Sequence, residues 1–382
     1  MSADVLVVGA GPAGLAVAAC LRRQGIDAVI VDRGEAVGDT WAARYERLHL
    51  HTPRIQSALP GLRMPRRFGR WVAKDDMAHY LRVYARRHGL APQFRTEVRR
   101  LDRADGRWTA TTDTGMLTAR QVVVATGYSN TPVQPHWPGQ EDFGGSVIHA
   151  SAYRSPHPYD GQRVLVVGAG NTGAEIAADL AEHGAADVRL SIRTPPNIIP
   201  RQFGPLPTTL MAVPMDVLPA ALVDPVNRLL QRVTLGDLAR YGMPRARAGV
   251  VAQARSTGVT PTIDVGLVAA LRTASVTPVA SLERFDGSEA VLTDGSRFAP
   301  DAVIAATGYS TGLTTMIGHL GVLDERGAPI VTGRTSAPGT DGLRFVGLWN
   351  PLKGQLFQIG LDARVVARVI RRELRSADLR TS

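Results

Sequence analysis

Asp4-Val-Leu-Val-Val-Gly9-Ala-Gly11-Pro-Ala-Gly14 opens the chain, and Arg163-Val-Leu-Val-Val-Gly168-Ala-Gly170-Asn-Thr-Gly173 repeats it. Each is a near-continuous apolar run ending on glycine, the pattern of a strand in a parallel sheet covered on both faces. An Ala-rich helical stretch follows each, at 12–23 and 172–183, and then a second apolar strand, at 28–32 and 188–193. The glycine spacing allows a tight turn, close approach to a pyrophosphate and close helix–strand packing, with the helix N-terminus facing the phosphates. Two such units predict an α/β chain of two Rossmann-like, three-layer ββα dinucleotide-binding domains, the FAD/NAD(P)-binding fold.

Outward from these units the chain carries antiparallel signals. Residues 96–101 and 107–112 read as strands about Ala104-Asp105-Gly106, and a second meander is expected over 276–298, with turns at Asp286-Gly287 and Asp294-Gly295. Each meander runs into an apolar strand with the same ending, Ala125-Thr126-Gly127-Tyr128 and Ala306-Thr307-Gly308-Tyr309. The Pro-rich stretch 131–139 reads as a connector. Residues 205–260 lack strand pattern, and helical spacing over 222–238 predicts a small helical insert. The expected division is a discontinuous first domain, 1–155 with 312–382, and a second domain, 156–311. A final helix ending near Glu373 returns to the first sheet.

Length and composition narrow the function classes. The chain has 382 residues, 44% of them apolar and 20% charged, as in an ordinary globular protein. No apolar run reaches the roughly 18 residues of a membrane span. Asp4 stands where a signal peptide would carry basic residues, so the expected location is the cytoplasm. One cysteine, Cys20, excludes a disulfide scaffold, a cysteine-based zinc site and a CxxC redox pair, and it reads as a small core residue. The net charge is +10, yet only Lys74 and Lys353 among the 44 basic residues are lysine. The arginines are scattered and aromatics are 5%, which argues against a nucleic-acid surface. The oligomeric state is left open, with a homodimer as the candidate assembly.

The two glycine loops differ in the residues downstream of them. Asp32 ends the second strand of the first unit, where a carboxylate accepts hydrogen bonds from a ribose diol. The second unit ends on Arg193 with Arg201 nearby, and guanidinium groups there favour a 2′-phosphate, hence NADPH over NADH. A surface arginine in an arginine-rich chain is the competing reading of Arg193. Without a redox cysteine pair, the economical arrangement is FAD in the first site and NADPH in the second.

Between the loops lies Phe143-x-Gly145-x-x-x-His149-x-x-x-Tyr153-Arg154. This resembles the signature of class B flavoprotein monooxygenases, in the version of the flavin-containing monooxygenases. The likeness extends towards the plant YUCCA branch through Tyr45-Glu-Arg-Leu-His-Leu-His-Thr-Pro-Arg54, Leu235-Gly-Asp-Leu-Ala-Arg-Tyr-Gly242 and Gly258-Val-Thr-Pro-Thr-Ile-Asp-Val-Gly266. It implies an FAD- and NADPH-dependent monooxygenase that forms a flavin C4a-(hydro)peroxide and passes one oxygen atom from dioxygen to a small organic substrate. Two chemistries stay open. One is oxidative decarboxylation of an aryl 2-oxo acid such as indole-3-pyruvate; the other is N- or S-oxygenation, or Baeyer–Villiger oxidation, in secondary metabolism. A flavin reductase serving a protein partner is the reading from another class.

By the same resemblance Gly9, Gly11, Pro12, Ala13, Gly14, Asp32, Arg33, Thr40, Trp41, His51, Val98, Thr126, Gly127, Asn350 and Gln355 are FAD candidates, with Gly347 and Lys353 beside the last two. Gly168, Gly170, Asn171, Thr172, Gly173, Arg193, Arg201, Thr307, Gly308 and Tyr309 are NADPH candidates. His51 is the candidate to hydrogen-bond the flavin or tune proton transfer, against a structural histidine or a metal pair with His49 on one strand face. Phe143, Gly145, His149, Tyr153 and Arg154 are expected to link the domains and position cofactor. In the segment Gly38-Asp39-Thr40-Trp41, Asp39 replaces a family glycine and puts the local turn in question. Leu210, Met211, Met215, Leu218, Leu229 and Leu230 of the insert read either as a self-packing cap or as substrate lining, and Arg54, Arg201 or Arg240 could hold a substrate carboxylate.

Overall fold

The computed structural model describes residues 2–215 and 218–381. In chain order the first elements are β1 (Ser2–Val8), α1 (Pro12–Arg22), β2 (Ala28–Val31), α2 (Lys74–Arg87), β3 (Val98–Ala104), β4 (Arg107–Thr112) and β5 (Gly115–Val124). Then come β6 (Ser146–His149), β7 (Arg163–Val167), α3 (Asn171–Glu182), β8 (Asp187–Ser191) and α4 (Ala220–Leu235). The rest are β9 (Thr277–Val279), β10 (Leu282–Asp286), β11 (Glu289–Leu292), β12 (Arg297–Phe298), β13 (Ala302–Ala305), β14 (Leu343–Phe345) and α5 (Gln355–Thr381). Among the described residues no helix is long and apolar enough to cross a membrane.

The chain divides into two compact units. The first comprises Met1–Ala43, Thr52–Thr131 and Tyr309–Ser382, and the second Arg44–His51 and Pro132–Gly308. These limits differ from the expected ones at two places. Residues 132–155 pack in the second unit because β6 pairs in parallel with β13, from Ser146 opposite Ala302 to His149 opposite Ala305. The short segment Arg44–His51 also belongs there, held by side chains described below.

In the first unit, β5 organises the sheet. It runs parallel to β1 along one edge, and on the other it pairs antiparallel with β4 and then parallel with β14. The β3–β4 hairpin closes through Asp105 and Gly106, both with positive φ, as a two-residue primed turn requires. The core gathers Leu6, Val8, Leu101, Trp108, Val122, Leu343 and Phe345 on this sheet. The C-terminal part is anchored by Arg344, 2% exposed, which donates to Gln121 on β5 at 2.6 Å and to Glu373 on α5 at 2.5 Å.

The second unit is a five-stranded parallel sheet in the order β9-β8-β7-β13-β6. The expected meander over 276–298 is therefore split. Strand β9 joins β8 in parallel, and its Pro278 is accommodated because β9 is an edge strand; only β10, β11 and β12 form an antiparallel ribbon. The insert is helical, at Thr208–Met215, α4 and Val250–Thr257, with a short strand pair at Gln202–Phe203 and Leu206–Pro207. It packs on itself through the buried Asp224 of α4, whose carboxylate accepts from the amides of Val251 and Ala252 at 2.8 and 3.1 Å. Leu218 and Leu229 are exposed, so the lining role does not fall to them.

Truncating Arg344 leaves Gln121 unpaired in the core and detaches α5 from β14. Arg344→Ala should destabilise the first unit by about 3 kcal/mol, the cost of breaking a buried polar pair. Urea unfolding followed by tryptophan fluorescence measures this, and a loss below about 1 kcal/mol would show the anchor to be dispensable.

Candidate active site

The two glycine loops use the same backbone device. Gly9 has φ +109, and a Cβ there would stand 2.6 Å from the Ala125 carbonyl oxygen. Gly168 has φ +111, and a Cβ there would stand 2.6 Å from the Ala306 carbonyl oxygen. Each loop thus crosses the end of the strand that carries the Ala-Thr-Gly sequence, at β5 and at β13. A side chain on Gly14 would overlap the Gly9 carbonyl, and one on Gly173 the Gly168 carbonyl, so helix and loop are in contact. Gly11 and Gly170, by contrast, face open space. Both helices start at these glycines with no side-chain cap, so their first amides remain for an anionic ligand.

The surroundings of the first loop suit a dinucleotide. Asp32 accepts from the Ala10 amide at 2.5 Å and from the Gly34 amide at 2.7 Å. A carboxylate has about four lone-pair sites, so acceptor capacity is left for a ribose hydroxyl. The Thr126 hydroxyl is buried and has no hydrogen-bond partner in the protein, as expected of an atom aimed at a ligand. Gly347 packs against Ala13, and the Gln355 side chain donates to the Gly347 carbonyl at 2.9 Å, which brings the start of α5 to the loop. Asn350 and Lys353 lie on the same connection, and the Lys353 carbonyl accepts from Gln56. Val98 sends its side chain into the core. Arg33 is exposed and donates to the Asn130 carbonyl at 3.3 Å.

The turn at 38–41 is resolved without strain. Gly38 takes the positive φ, +85, and Asp39 begins a short helix in the ordinary right-handed region. The Asp39 carboxylate then accepts from the amides of Glu35 and Thr40 at 2.9 and 2.6 Å. Substitution of a glycine by aspartate therefore adds a local cap and leaves the turn intact. Trp41 is half-buried and Thr40 exposed.

Around the second loop two expected contacts have other occupations. The Asn171 side chain donates to the Pro261 carbonyl at 3.1 Å and accepts from the Ile263 amide at 2.8 Å, holding the 261–263 strand. The Thr307 hydroxyl donates to the Val133 carbonyl. Arg193 follows β8 and is exposed, whereas Arg201 is largely buried and donates to the Leu50 carbonyl at 2.7 Å. Tyr309 falls at the start of the last first-unit segment and Gly308 at the end of the second unit.

The fingerprint residues build the second unit. Phe143 packs on Phe285 with ring centroids 4.6 Å apart, and a Cβ on Gly145 would strike the Asp301 carbonyl at 2.6 Å. His149 Nδ1 accepts from the Ser151 amide at 3.0 Å, which places the hydrogen on Nε2, 3.1 Å from the Gly308 carbonyl. The imidazole is a neutral pin for the strand end at Gly308, and burial pushes its pKa down. Tyr153 donates to the buried Asp179 at 2.7 Å, and burial raises its phenol pKa. Arg154 donates to the Ser151 carbonyl at 2.6 Å. The expectation of a linker between domains is corrected accordingly: these partners all lie in the second unit.

Sequence reasoning missed the acidic stripe of α3. Glu175, Asp179 and Glu182 follow at helical spacing along one face. Segment 44–51 supplies their partners. Tyr45 donates to Glu175 at 3.1 Å, and His51 Nε2 lies 2.5 Å from the other Glu175 oxygen. Arg47 grips both oxygens of Glu182 and stands 3.7 Å from Asp179. The Glu182 hydrogen bond raises the Arg47 pKa, and Arg47 in turn holds the Glu182 carboxyl below its usual range. Glu175 and Asp179 are 2% and 3% exposed, so each would be costly to bury without these donors. The segment is irregular, not a strand, and the side-by-side arrangement of His49 and His51 expected for a metal pair is absent. A cavity of about 240 Å³ opens beside it.

Known proteins resemble this chain along most of its length. Residues 6–199, just over half the chain, match the pyridine nucleotide-disulphide oxidoreductase family. The indole-3-pyruvate monooxygenase YUCCA8 of Oryza sativa subsp. indica is 37% identical over 359 residues, covering 90% of this chain and 85% of that protein. YUCCA1 of Oryza sativa subsp. japonica, another indole-3-pyruvate monooxygenase, is 34% identical over 379 residues, 98% of this chain and 92% of its own. Among solved structures, the flavin-containing monooxygenase from Stenotrophomonas maltophilia superposes with a TM-score of 0.74 at 25% identity, covering 98% of this chain and 99% of that one.

The His149 pin titrates in a defined direction. Folding keeps the ring neutral below its ordinary value of 6.5, while the unfolded chain takes up the proton there. Its contribution is complete above about 6.5 and is lost as pH falls below that value. The melting temperature should therefore drop between pH 7 and pH 5 by more in the wild type than in His149→Gln, which keeps a donor for Gly308 but does not titrate. Equal drops would show that the pin contributes nothing to the pH dependence.

Proposed function

The chain belongs to the flavin monooxygenase family and is an FAD- and NADPH-dependent monooxygenase, and from that premise we propose that it oxidatively decarboxylates an aryl 2-oxo acid such as indole-3-pyruvate. The observation that carries this reading is that relatives named for indole-3-pyruvate match along nearly the whole of both chains. The reading places the enzyme in the cytoplasm, where it would draw on NADPH, and leaves room for a homodimer.

FAD, reduced by NADPH, supplies the activation of dioxygen; the polypeptide binds, orients and shields. In this reading Gly9, Gly11, Pro12, Ala13 and Gly14 hold the FAD pyrophosphate and Asp32 its ribose. Arg33, Thr40, Trp41, Thr126, Gly127, Asn350, Gln355 and the Val98 backbone complete the cradle. Gly168, Gly170, Thr172 and Gly173 hold the NADPH pyrophosphate, with Thr307, Gly308 and Tyr309 at the adjoining strand end. Asn171 orients the 261–263 strand from the same loop. Arg193, exposed at the end of β8, takes the 2′-phosphate.

His51 is the proton-handling residue. An ionised Glu175 accepts the Nε2 hydrogen, so Nδ1 is the nitrogen available to take or give a proton. Tyr45, donating to the other Glu175 oxygen, fixes the carboxylate and through it the imidazole plane.

Two measurements test the reading. Incubation with NADPH, dioxygen and indole-3-pyruvate should release carbon dioxide in step with NADPH oxidation, with no release from amines or thioethers. Absence of carbon dioxide from every 2-oxo acid tried would overturn the proposal in favour of N- or S-oxygenation. Arg193→Ala should lower the preference for NADPH over NADH by about 10- to 100-fold, the worth of a lost charged hydrogen-bond pair. A preserved ratio of the two kcat/KM values would remove Arg193 from the phosphate site.

A further inference from the structure

The cavity beside α3 is lined by Arg47, His49, His51, Glu175, Arg201 and Val265, all from the second unit. Its charged groups are not equivalent. Arg47 is clamped on Glu182. Glu175 is engaged by Tyr45 and His51. Arg201 donates to the Leu50 carbonyl, a neutral acceptor, while facing the open volume. Burial pushes its pKa down to about 10, and the nearby charge of Glu175 offsets that only in part. A desolvated guanidinium beside open space is stabilised most by a small planar anion that accepts two parallel hydrogen bonds.

The volume limits the anion. About 240 Å³ lies below the roughly 300–1,000 Å³ of sites for drug-sized ligands and suits the head of a small acid. The Glu175 carboxylate lines the same cavity and disfavours a phosphate dianion more than a carboxylate monoanion. The other candidate arginines are placed elsewhere. Arg54 donates to the carbonyls of Gly69 and Met64 in the first unit, and Arg240 is exposed on the turn Leu238–Tyr241.

We propose that the cavity is the carboxylate subsite for a 2-oxo acid, with the Arg201 guanidinium as anchor and His51 at its side. The proposal rests on the decarboxylase reading for its ligand class. It separates Arg201 from Arg193, leaving the 2′-phosphate to Arg193 alone.

The test is equilibrium binding, read by calorimetry on the FAD-loaded protein with NADP⁺ present. The probes are 3-phenyl-2-oxopropanoate and its methyl ester, which differ in charge but little in shape. The wild type should bind the acid about 10- to 100-fold more tightly than the ester, and Arg201→Gln should bring that ratio close to one while leaving ester affinity unchanged. Arg201→Lys keeps the charge without the fork and should retain part of the ratio; it decides the matter if the glutamine variant does not fold. Arg240→Gln should leave the ratio intact. An unchanged ratio in the Arg201 variants overturns the proposal, and so does a fall in NADPH affinity with the ratio preserved, which would return Arg201 to the cofactor phosphate. Turnover is not part of this readout. Acid selectivity that depends on Arg201 without any release of carbon dioxide would sink the decarboxylase reading and leave the anion subsite standing.

Discussion

The absence of a side chain at two positions governs the layout of this protein. At Gly9 and Gly168 the backbone passes so near the carbonyls of Ala125 and Ala306 that a methyl group could not be inserted. That proximity turns each following helix so that its uncapped first amides open outward. It also places the Ala-Thr-Gly strand endings beside both loops. The fold repeats one solution twice, and the chemistry of each copy is set by its flanking residues: Asp32 in the first, Arg193 in the second.

In the second copy, α3 has an additional duty. Its N-terminus belongs to the glycine loop, and one of its faces carries Glu175, Asp179 and Glu182. Tyr45, Arg47 and His51 meet those acids from a segment more than a hundred residues earlier, and Tyr153 of the fingerprint meets Asp179 from another direction. Buried carboxylates tolerate little freedom in their donors, so the stripe fixes where His51 stands.

The parts legible in the sequence are those set by local rules. Glycine spacing, apolar strand runs, the Asp105-Gly106 turn and the helical insert all follow from neighbours along the chain. The remainder depends on distant partners. Segment 44–51 lacks periodicity, and its place is fixed by acids on α3, which on a helix otherwise read as a solvated face. Strand β6 is only four residues long, and its membership of the second sheet is decided by pairing with β13. Asp39 reads as a fault in a glycine turn, because sequence alone does not show that Gly38 takes the left-handed conformation and leaves Asp39 helical.

The acid stripe makes residues 44–51 and α3 one inheritable module, although the chain separates them widely. Swapping the nucleotide-binding helix between relatives to change coenzyme preference would strand Glu175 and Asp179 against foreign donors. A working chimera must carry Tyr45, Arg47 and His51 along with the helix. Drift at either site is in turn constrained by the other, so their identities are expected to change together across descendants of this chain.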